Sequence, residues 1–193
     1  MNVKFKPSLI LATLLTVTSI YSYAAEENAG VIHFTGEIIE PSCVIEGDDG
    51  TDSTVPLGTY PTSLFAKVGD ESDLVPFTIK LASCPVASDG LAQVQLTFTG
   101  ATSLTGSNTL LDVSQITTEG DPAATGVGIA VSPKDDSKSL LTFDGADGQV
   151  HIDLPSVADD IIETSFNARY KSFATDVKAG PADADMTVNI LYR

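Results

Sequence analysis

Two cysteines and two histidines are the side chains of this sequence with the widest range of chemistry. They are Cys43 and Cys84, and His33 and His151. The cysteines stand too far apart for the C-x-x-C spacing of a redox motif, and no cluster of His, Cys and carboxylates has the spacing of a metal site. Neither histidine lies near a nucleophile motif such as G-x-S-x-G. We therefore expect no enzyme activity, no metal and no cofactor.

The first 24 residues have the layout of a secretory signal peptide. Lys4 and Lys6 form a basic start, and residues 9–20 are an uncharged, apolar stretch. Ser22 and Ala24 then offer small side chains at the two positions that a signal peptidase reads. The apolar stretch is shorter than the roughly 20 residues that span a membrane. We place cleavage after Ala24, and the remaining residues 25–193 have the length of one domain.

Export has a consequence for the cysteine pair. A signal peptide directs the chain to an oxidising compartment, where two cysteines normally become a disulfide. We therefore expect Cys43 and Cys84 to be joined, and the closure of that loop contributes about 4 kcal/mol in the chain-entropy model.

The charge balance is strongly acidic. The chain has 26 Asp and Glu against 10 Lys and Arg, and its formal net charge is −16. Nucleic-acid binding and docking on anionic lipid both depend on clustered Lys and Arg. We expect no nucleic-acid partner and no electrostatic membrane dock.

The mature chain has the alternation of β-strands throughout. Apolar side chains recur at every second position, which places them on one face of a strand. Clusters of Asp, Gly, Ser and Pro separate these stretches and predict turns, and residues 61–68 can hold a single helical turn. Short strands at this spacing predict an all-β sandwich or barrel. The predicted strands are 31–39, 54–57, 75–81, 92–99, 127–131, 150–154, 164–170 and 187–192.

The two end strands are unusual. In the last strand the apolar positions continue to the penultimate residue, whereas most termini become polar and fray. The first strand of the mature chain has one face of apolar residues and glycines. Periodicity leaves open whether each strand pairs within its own sheet or with another chain. These faces are Gly30, Ile32, Phe34, Gly36 and Ile38 at the beginning, and Met186, Val188, Ile190 and Tyr192 at the end.

Three stretches carry a resemblance to a known family. Residues 30–39, followed by Cys43, resemble the beginning of the major subunit of type 1 pili, and residues 166–170 resemble the F-x-A-R-Y strand of that family. Gly180, fourteen residues from the C-terminus, and the penultimate Tyr192 match its C-terminal pattern. The chain is thus similar to the subunits of chaperone–usher pili over essentially its whole mature length.

The resemblance implies an incomplete immunoglobulin-like β-sandwich that lacks its last strand and is completed by a donor strand. It divides the chain into a signal peptide (1–24), a donor-strand extension (25–38) and a pilin domain (39–193). The donor face would be Gly30, Ile32, Phe34, Gly36 and Ile38. The acceptor groove and the chaperone recognition site would comprise Gly180, Met186, Val188, Ile190 and Tyr192.

The partners that the resemblance implies are a periplasmic pilus chaperone, an outer-membrane usher and neighbouring pilus subunits. Export would pass through the periplasm to a pilus on the cell surface that supports cell adhesion. Two alternatives stay open on the sequence. One is a self-contained secreted β-sandwich that binds a ligand, and the other is a minor adaptor subunit of the same pilus.

Overall fold

A computed structural model describes residues 30–36, 38–40, 42–48, 50–116 and 122–192. The chain divides into two compact units, residues 1–37 and residues 38–193. In the first unit, residues 30–36 are exposed and belong to no hydrogen-bonded strand. The predicted signal peptide and the beginning of the predicted donor extension lie outside the described residues.

The second unit is built from antiparallel strands. Its described part contains one 3-10 turn at Thr62–Phe65, as predicted, and no helix there is long and apolar enough to cross a membrane. The strands are β1 (Val44–Ile45), β2 (Val75–Ala82), β3 (Gln93–Gly100), β4 (Leu111–Asp112), β5 (Val127–Pro133), β6 (Val150–Asp153), β7 (Ile162–Ser172) and β8 (Met186–Tyr192).

Most of the strand predictions are confirmed. The six long strands β2, β3, β5, β6, β7 and β8 form where alternation predicts them. The strand predicted at 54–57 is wrong, because these residues belong to no hydrogen-bonded strand. The strand predicted at 31–39 is likewise not formed within this chain, since its described residues, 31–36 and 38–39, pair with no other strand. The sequence did not predict β1 and β4, since two residues are too few to display a period of two.

The strands form two sheets. One sheet has five strands in the order β1-β2-β7-β5-β4, and the other has three in the order β6-β3-β8. The register is set by side-chain alternation, which brings Phe77 opposite Phe166 in the first sheet and Phe98 opposite Val188 in the second. Each sheet thereby turns one apolar face inward.

The core lies between the two sheets. Phe166 on β7 is 1% exposed, and its ring stacks on Phe77 of the same sheet and meets Phe98 of the other sheet edge-on, at centroid distances of 5.4 and 5.8 Å. Aromatic pairs at such distances stabilise a core beyond the area that they bury. The predicted all-β sandwich is confirmed.

The predicted disulfide between Cys43 and Cys84 is present. Cys43 immediately precedes β1, and Cys84 follows two residues after the end of β2. The bond therefore fastens the beginning of β1 to the adjacent end of β2, at the edge of the five-stranded sheet.

Candidate functional site

The last strand, β8, forms an edge of its sheet. It pairs with β3 along its whole length, from Met186 opposite Gly100 to Tyr192 opposite Val94. No other strand in the described part of the chain pairs with it. The backbone N–H and C=O groups that point away from β3 therefore face a position where a further strand can add.

The side chains of β8 are covered less well than those of its neighbour. Val94, Leu96 and Phe98 on the inner face of β3 are at most 1% exposed. Their partners on β8 are Tyr192, Ile190 and Val188, and all three are only half-buried. The contrast arises because β3 has a strand on each side, whereas β8 has one only.

A groove of about 1080 Å³ runs along this uncovered face. One rim is β8, and the other is formed by residues 43–46 and 51–55. Its floor is the inner face of the five-stranded sheet, where the opposing sheet contributes only three strands. The floor residues are apolar and come from four strands: Phe77, Ile79, Leu111, Ile129, Val131 and Ala168.

The second rim explains the wrong strand prediction at 54–57. Residues 53–57 make no backbone hydrogen bond to another described residue. Val55 nevertheless packs against the core, and Leu57 belongs to it. The alternation at 54–57 therefore reflects the burial of one face of this segment. The segment is not a strand because no neighbouring strand in the described part of the chain lies on the groove side to form hydrogen bonds with it.

The groove has the features that the binding of an extended chain requires. It offers an apolar floor and the free backbone edge of β8. Among the described residues no group of three or more His, Cys, Asp or Glu side chains could hold a metal ion. His33 and His151 are both exposed.

Comparison with known proteins decides the family. The model of the fimbrial protein family matches residues 32–193. The chain belongs to the fimbrial protein family. This family is a structural one, and the chain is a structural component of a pilus on the cell surface.

Individual relatives agree over the full length of this fimbrial protein. It is 35% identical over 193 residues to the fimbrial-like protein SfmA of Escherichia coli K12, covering 100% of this chain and 99% of the relative. It is also 35% identical over 185 residues to a type-1 fimbrial protein subunit of Serratia marcescens, covering 95% of this chain and 96% of that one.

A solved structure agrees with the fold. The P pilus rod subunit PapA superposes with a TM-score of 0.59 at 23% identity, covering 79% of this fimbrial protein and 99% of PapA. The fold is therefore the immunoglobulin-like sandwich with a missing strand that the sequence predicts.

The residues predicted for the acceptor groove fall into two groups. Met186, Val188, Ile190 and Tyr192 line the groove of this fimbrial protein. Gly180 does not line it. An added Cβ at Gly180 would lie 2.6 Å from the backbone nitrogen of Ala124, so this position needs a glycine for packing. A role of Gly180 in chaperone recognition stays a prediction.

The apolar residues predicted for the donor strand are exposed. Ile32, Phe34 and Ile38 have exposed fractions of 80%, 94% and 99%. Gly30 is also exposed, and no atom lies within 4 Å of a Cβ built on Gly36. A role of these residues as the donor face stays a prediction.

Sequence reasoning missed the floor and the second rim of the groove. The alternation of β2 does place Phe77 and Ile79 on one inner face. Some inner residues are covered by the opposing sheet, and others are left uncovered where a strand is missing. No sequence signal distinguishes the two groups. The rim at 51–55 follows a loop rich in Asp and Gly and has no motif of its own.

The F-x-A-R-Y strand has a structural role on the outer face of the five-stranded sheet. The Arg169 guanidinium, almost fully buried, donates to a carboxylate oxygen of Glu71, to Ser132 Oγ and to the Ser137 carbonyl. Lys171 Nζ also donates to Glu71. Burial raises the pKa of Glu71, but the hydrogen bonds and positive charges of Lys171 and Arg169 outweigh it, so this pKa lies below its ordinary value of 4.5.

Proposed function

We propose that this fimbrial protein polymerises by donor-strand exchange. The groove of one copy accepts the N-terminal strand, within residues 25–38, of the next copy. The observation that carries the proposal is the half-buried inner face of β8 beside an open groove, next to the fully buried inner face of β3.

The chemistry of the strand and of the groove is complementary. Burying Ile32 and Phe34 on the apolar floor contributes about 1.5–3 kcal/mol for each side chain. The backbone of the incoming strand pairs with the free edge of β8, as in other cases of strand addition. A slip of one residue would turn His33 and Glu37 toward the apolar floor, which is costly, so the alternation sets the register.

Exchange of this kind builds a filament. The donor surface and the acceptor surface of one subunit are different. When two subunits join, one of them keeps a free donor strand and the other keeps a free groove. A head-to-tail contact that does not close on itself extends indefinitely. The subunit would perform no chemical step, and its pilus would support cell adhesion.

The open groove also calls for partners before assembly. An apolar groove beside a free strand edge is an aggregation hazard, and a periplasmic chaperone that fills it until an outer-membrane usher exchanges the strand removes that hazard. The proposal therefore includes both partners and export through the periplasm. The excess of acidic residues supports the absence of a nucleic-acid partner.

The experiment compares Phe34→Arg with His33→Arg. Both variants add one positive charge to the same strand, but only residue 34 belongs to the predicted donor face. We expect Phe34→Arg to be secreted without forming denaturant-resistant polymers, because a charge cannot enter an apolar groove. His33→Arg should polymerise like the wild type, and normal polymers from Phe34→Arg would refute the proposal.

A shortened chain tests the alternative of a self-contained sandwich. A chain beginning at Thr35 lacks Ile32 and Phe34, and we expect it to remain monomeric and bound to its chaperone. If this chain and the full mature chain are both stable monomers alone, donor-strand exchange is excluded, and the groove is a candidate ligand site instead.

A further inference from the structure

A row of apolar side chains crosses one end of the five-stranded sheet on its outer face. Val44 on β1 pairs with Ala82 on β2, and Leu81 pairs with Ile162, the first residue of β7. Ile161 therefore lies beside Ala82, on the same face as Val44. Val44 and Ile161 are 49% and 51% exposed, so no described part of the chain covers this row.

Two loops at the same end of the sheet extend the row. The backbone N–H of Ala87 donates to the Pro155 carbonyl at 2.8 Å, which holds the loop after β2 against the loop before β7. Val86 in the first loop and Val157 in the second are both exposed. We refer to this surface as the end patch, and its exposed apolar residues are Val44, Val86, Val157 and Ile161.

Charged residues border the end patch. On the sheet, the next row contains Lys80 of β2 opposite Glu163 of β7, and both are exposed. In the second loop, Asp159 and Asp160 are exposed as well. Single exposed apolar residues are common, whereas a cluster of them with a polar rim is typical of a surface that contacts another protein.

Both loops of the end patch contain a residue with a left-handed backbone. Ser83 has a φ of 55° and Asp159 a φ of 66°, and in the described part of the chain no other residue except glycine has a positive φ. Such conformations are uncommon for residues with a side chain and persist where the surrounding structure fixes them. The two loops are therefore held in defined conformations, which presents Val86 and Val157 in fixed positions.

The position of the end patch in the chain indicates what covers it. Val44 follows Cys43 directly, and in the proposed assembly the donor face ends at Ile38 in the groove of a neighbouring subunit. The six steps from Ile38 to Val44 span at most about 22 Å. A domain of this size has a radius of gyration of about 15 Å, so the body of that neighbour lies close to the end patch.

We propose that the end patch is a second contact between consecutive subunits, in addition to the donor strand. The patch of one subunit packs against the body of the neighbour whose groove holds its N-terminal strand. This contact fixes the angle between the two bodies, because two domains joined by a short connection alone move relative to each other. The occupant is a second copy of this chain, and the inference rests on the proposed function.

The first test identifies the neighbour of the end patch by photochemical crosslinking. Ile161 is replaced by the photoreactive residue p-benzoylphenylalanine, and the species of two subunits, which contains a single donor-strand joint, is isolated and irradiated. We expect a covalent dimer. The same residue in place of Thr78, which is exposed on the same face in the middle of β2, is the control and should give none.

The second test measures the stiffness of the polymers. Ile161→Asp places a carboxylate inside the proposed contact, and Thr78→Asp places the same side chain elsewhere on the same face. Both variants should polymerise with the yield of the wild type, because the donor strand and the groove are unchanged. The persistence length in electron micrographs should fall at least twofold for Ile161→Asp and stay unchanged for Thr78→Asp. Val157→Asp, in a loop outside the strands, should repeat the fall.

The outcomes separate this inference from the proposed function. If the wild-type chain forms no polymers, the proposed function is wrong. If it polymerises, but residue 161 gives no crosslink in the species of two subunits, only the second contact is overturned. The same holds if the persistence length is unchanged in both Ile161→Asp and Val157→Asp, or if residue 161 crosslinks to a chaperone alone.

Discussion

Arg169 and Glu71 form an ion pair on the outer face of the five-stranded sheet, with 2.7 Å between Nε and Oε2 and only 3% of the arginine side chain exposed. The guanidinium therefore depends on its protein partners for hydrogen bonding. Removing one partner of a buried ion pair leaves an uncompensated charge, which costs more than the pair itself contributes. The pair fixes β7, whose other face carries Phe166 into the core.

The first prediction is that Glu71→Gln lowers the free energy of unfolding by about 2 kcal/mol at pH 7. Breaking a buried pair costs about 3–5 kcal/mol, and the effect is smaller here because the Glu71 side chain is 31% exposed. Urea titration of the subunit with bound donor peptide measures the difference. Glu163→Gln, an exposed position on the same strand as Arg169, is the control.

The same pair predicts a dependence on pH. Because the pKa of Glu71 is lower in the folded chain, its stabilising contribution is complete above about pH 5 and is lost as the pH falls through the folded pKa. The difference between wild type and Glu71→Gln should therefore shrink toward pH 3. An unchanged difference over this range would contradict the assignment of the pair.

The second prediction concerns the groove. Val188→Lys should reduce polymer yield at least tenfold, because Val188 lines the groove and a lysine there must be buried or must block the strand. Leu191→Lys places the same side chain on the opposite face of β8, at a position that does not line the groove. Quantifying denaturant-resistant polymers from both variants decides the matter, and equal loss in both would argue against a groove-specific effect.

The third prediction is that Cys43→Ser and Cys84→Ser each destabilise the subunit by about 2–5 kcal/mol and reduce its recovery from the periplasm. The double variant should resemble each single variant, because either substitution already removes the whole disulfide. Recovery equal to the wild type would show that the Cys43–Cys84 bond is dispensable for folding.

The fourth prediction separates packing from recognition at Gly180. Gly180→Ala brings a methyl group against the backbone of residues 122–124 and should cost about 1–3 kcal/mol. The affinity of the folded subunit for donor peptide should stay within twofold of the wild type, since Gly180 lies outside the groove lining. Ala179→Ser, at the exposed neighbouring position, is the control for stability. A loss of chaperone binding without a loss of stability would support the recognition role instead.

Three of the long strands, β2, β3 and β8, could be predicted because each carries most of its apolar side chains on one face. In β2, β3 and β8 the apolar side chains alternate with polar ones, and such alternation survives in the sequence without reference to any partner. The two-residue strands β1 and β4 exist only through pairing with a longer neighbour. Whether these residues form a strand therefore depends on the rest of the sheet, and their local sequence does not predict it.

The candidate site could be predicted in part. The rim strand β8 was evident from alternation that continues to Tyr192, and the family resemblance placed it beside a groove. The floor residues Ile129 and Val131 look like any other core residues in the sequence. The position of Gly180 was marked by the resemblance, but its contact with Ala124 connects residues distant in the chain, and no local pattern predicts such a contact.

The pairing of β8 with β3 has a mechanical consequence. Hydrogen bonds in an antiparallel pair run perpendicular to the strands. A force applied along β8 therefore loads all the hydrogen bonds between Met186 and Tyr192 at the same time. A force applied perpendicular to β8 would break these hydrogen bonds one after another. In a fibre whose subunits are joined through this strand, tension along the fibre axis would therefore be shared by all the hydrogen bonds along the paired strands.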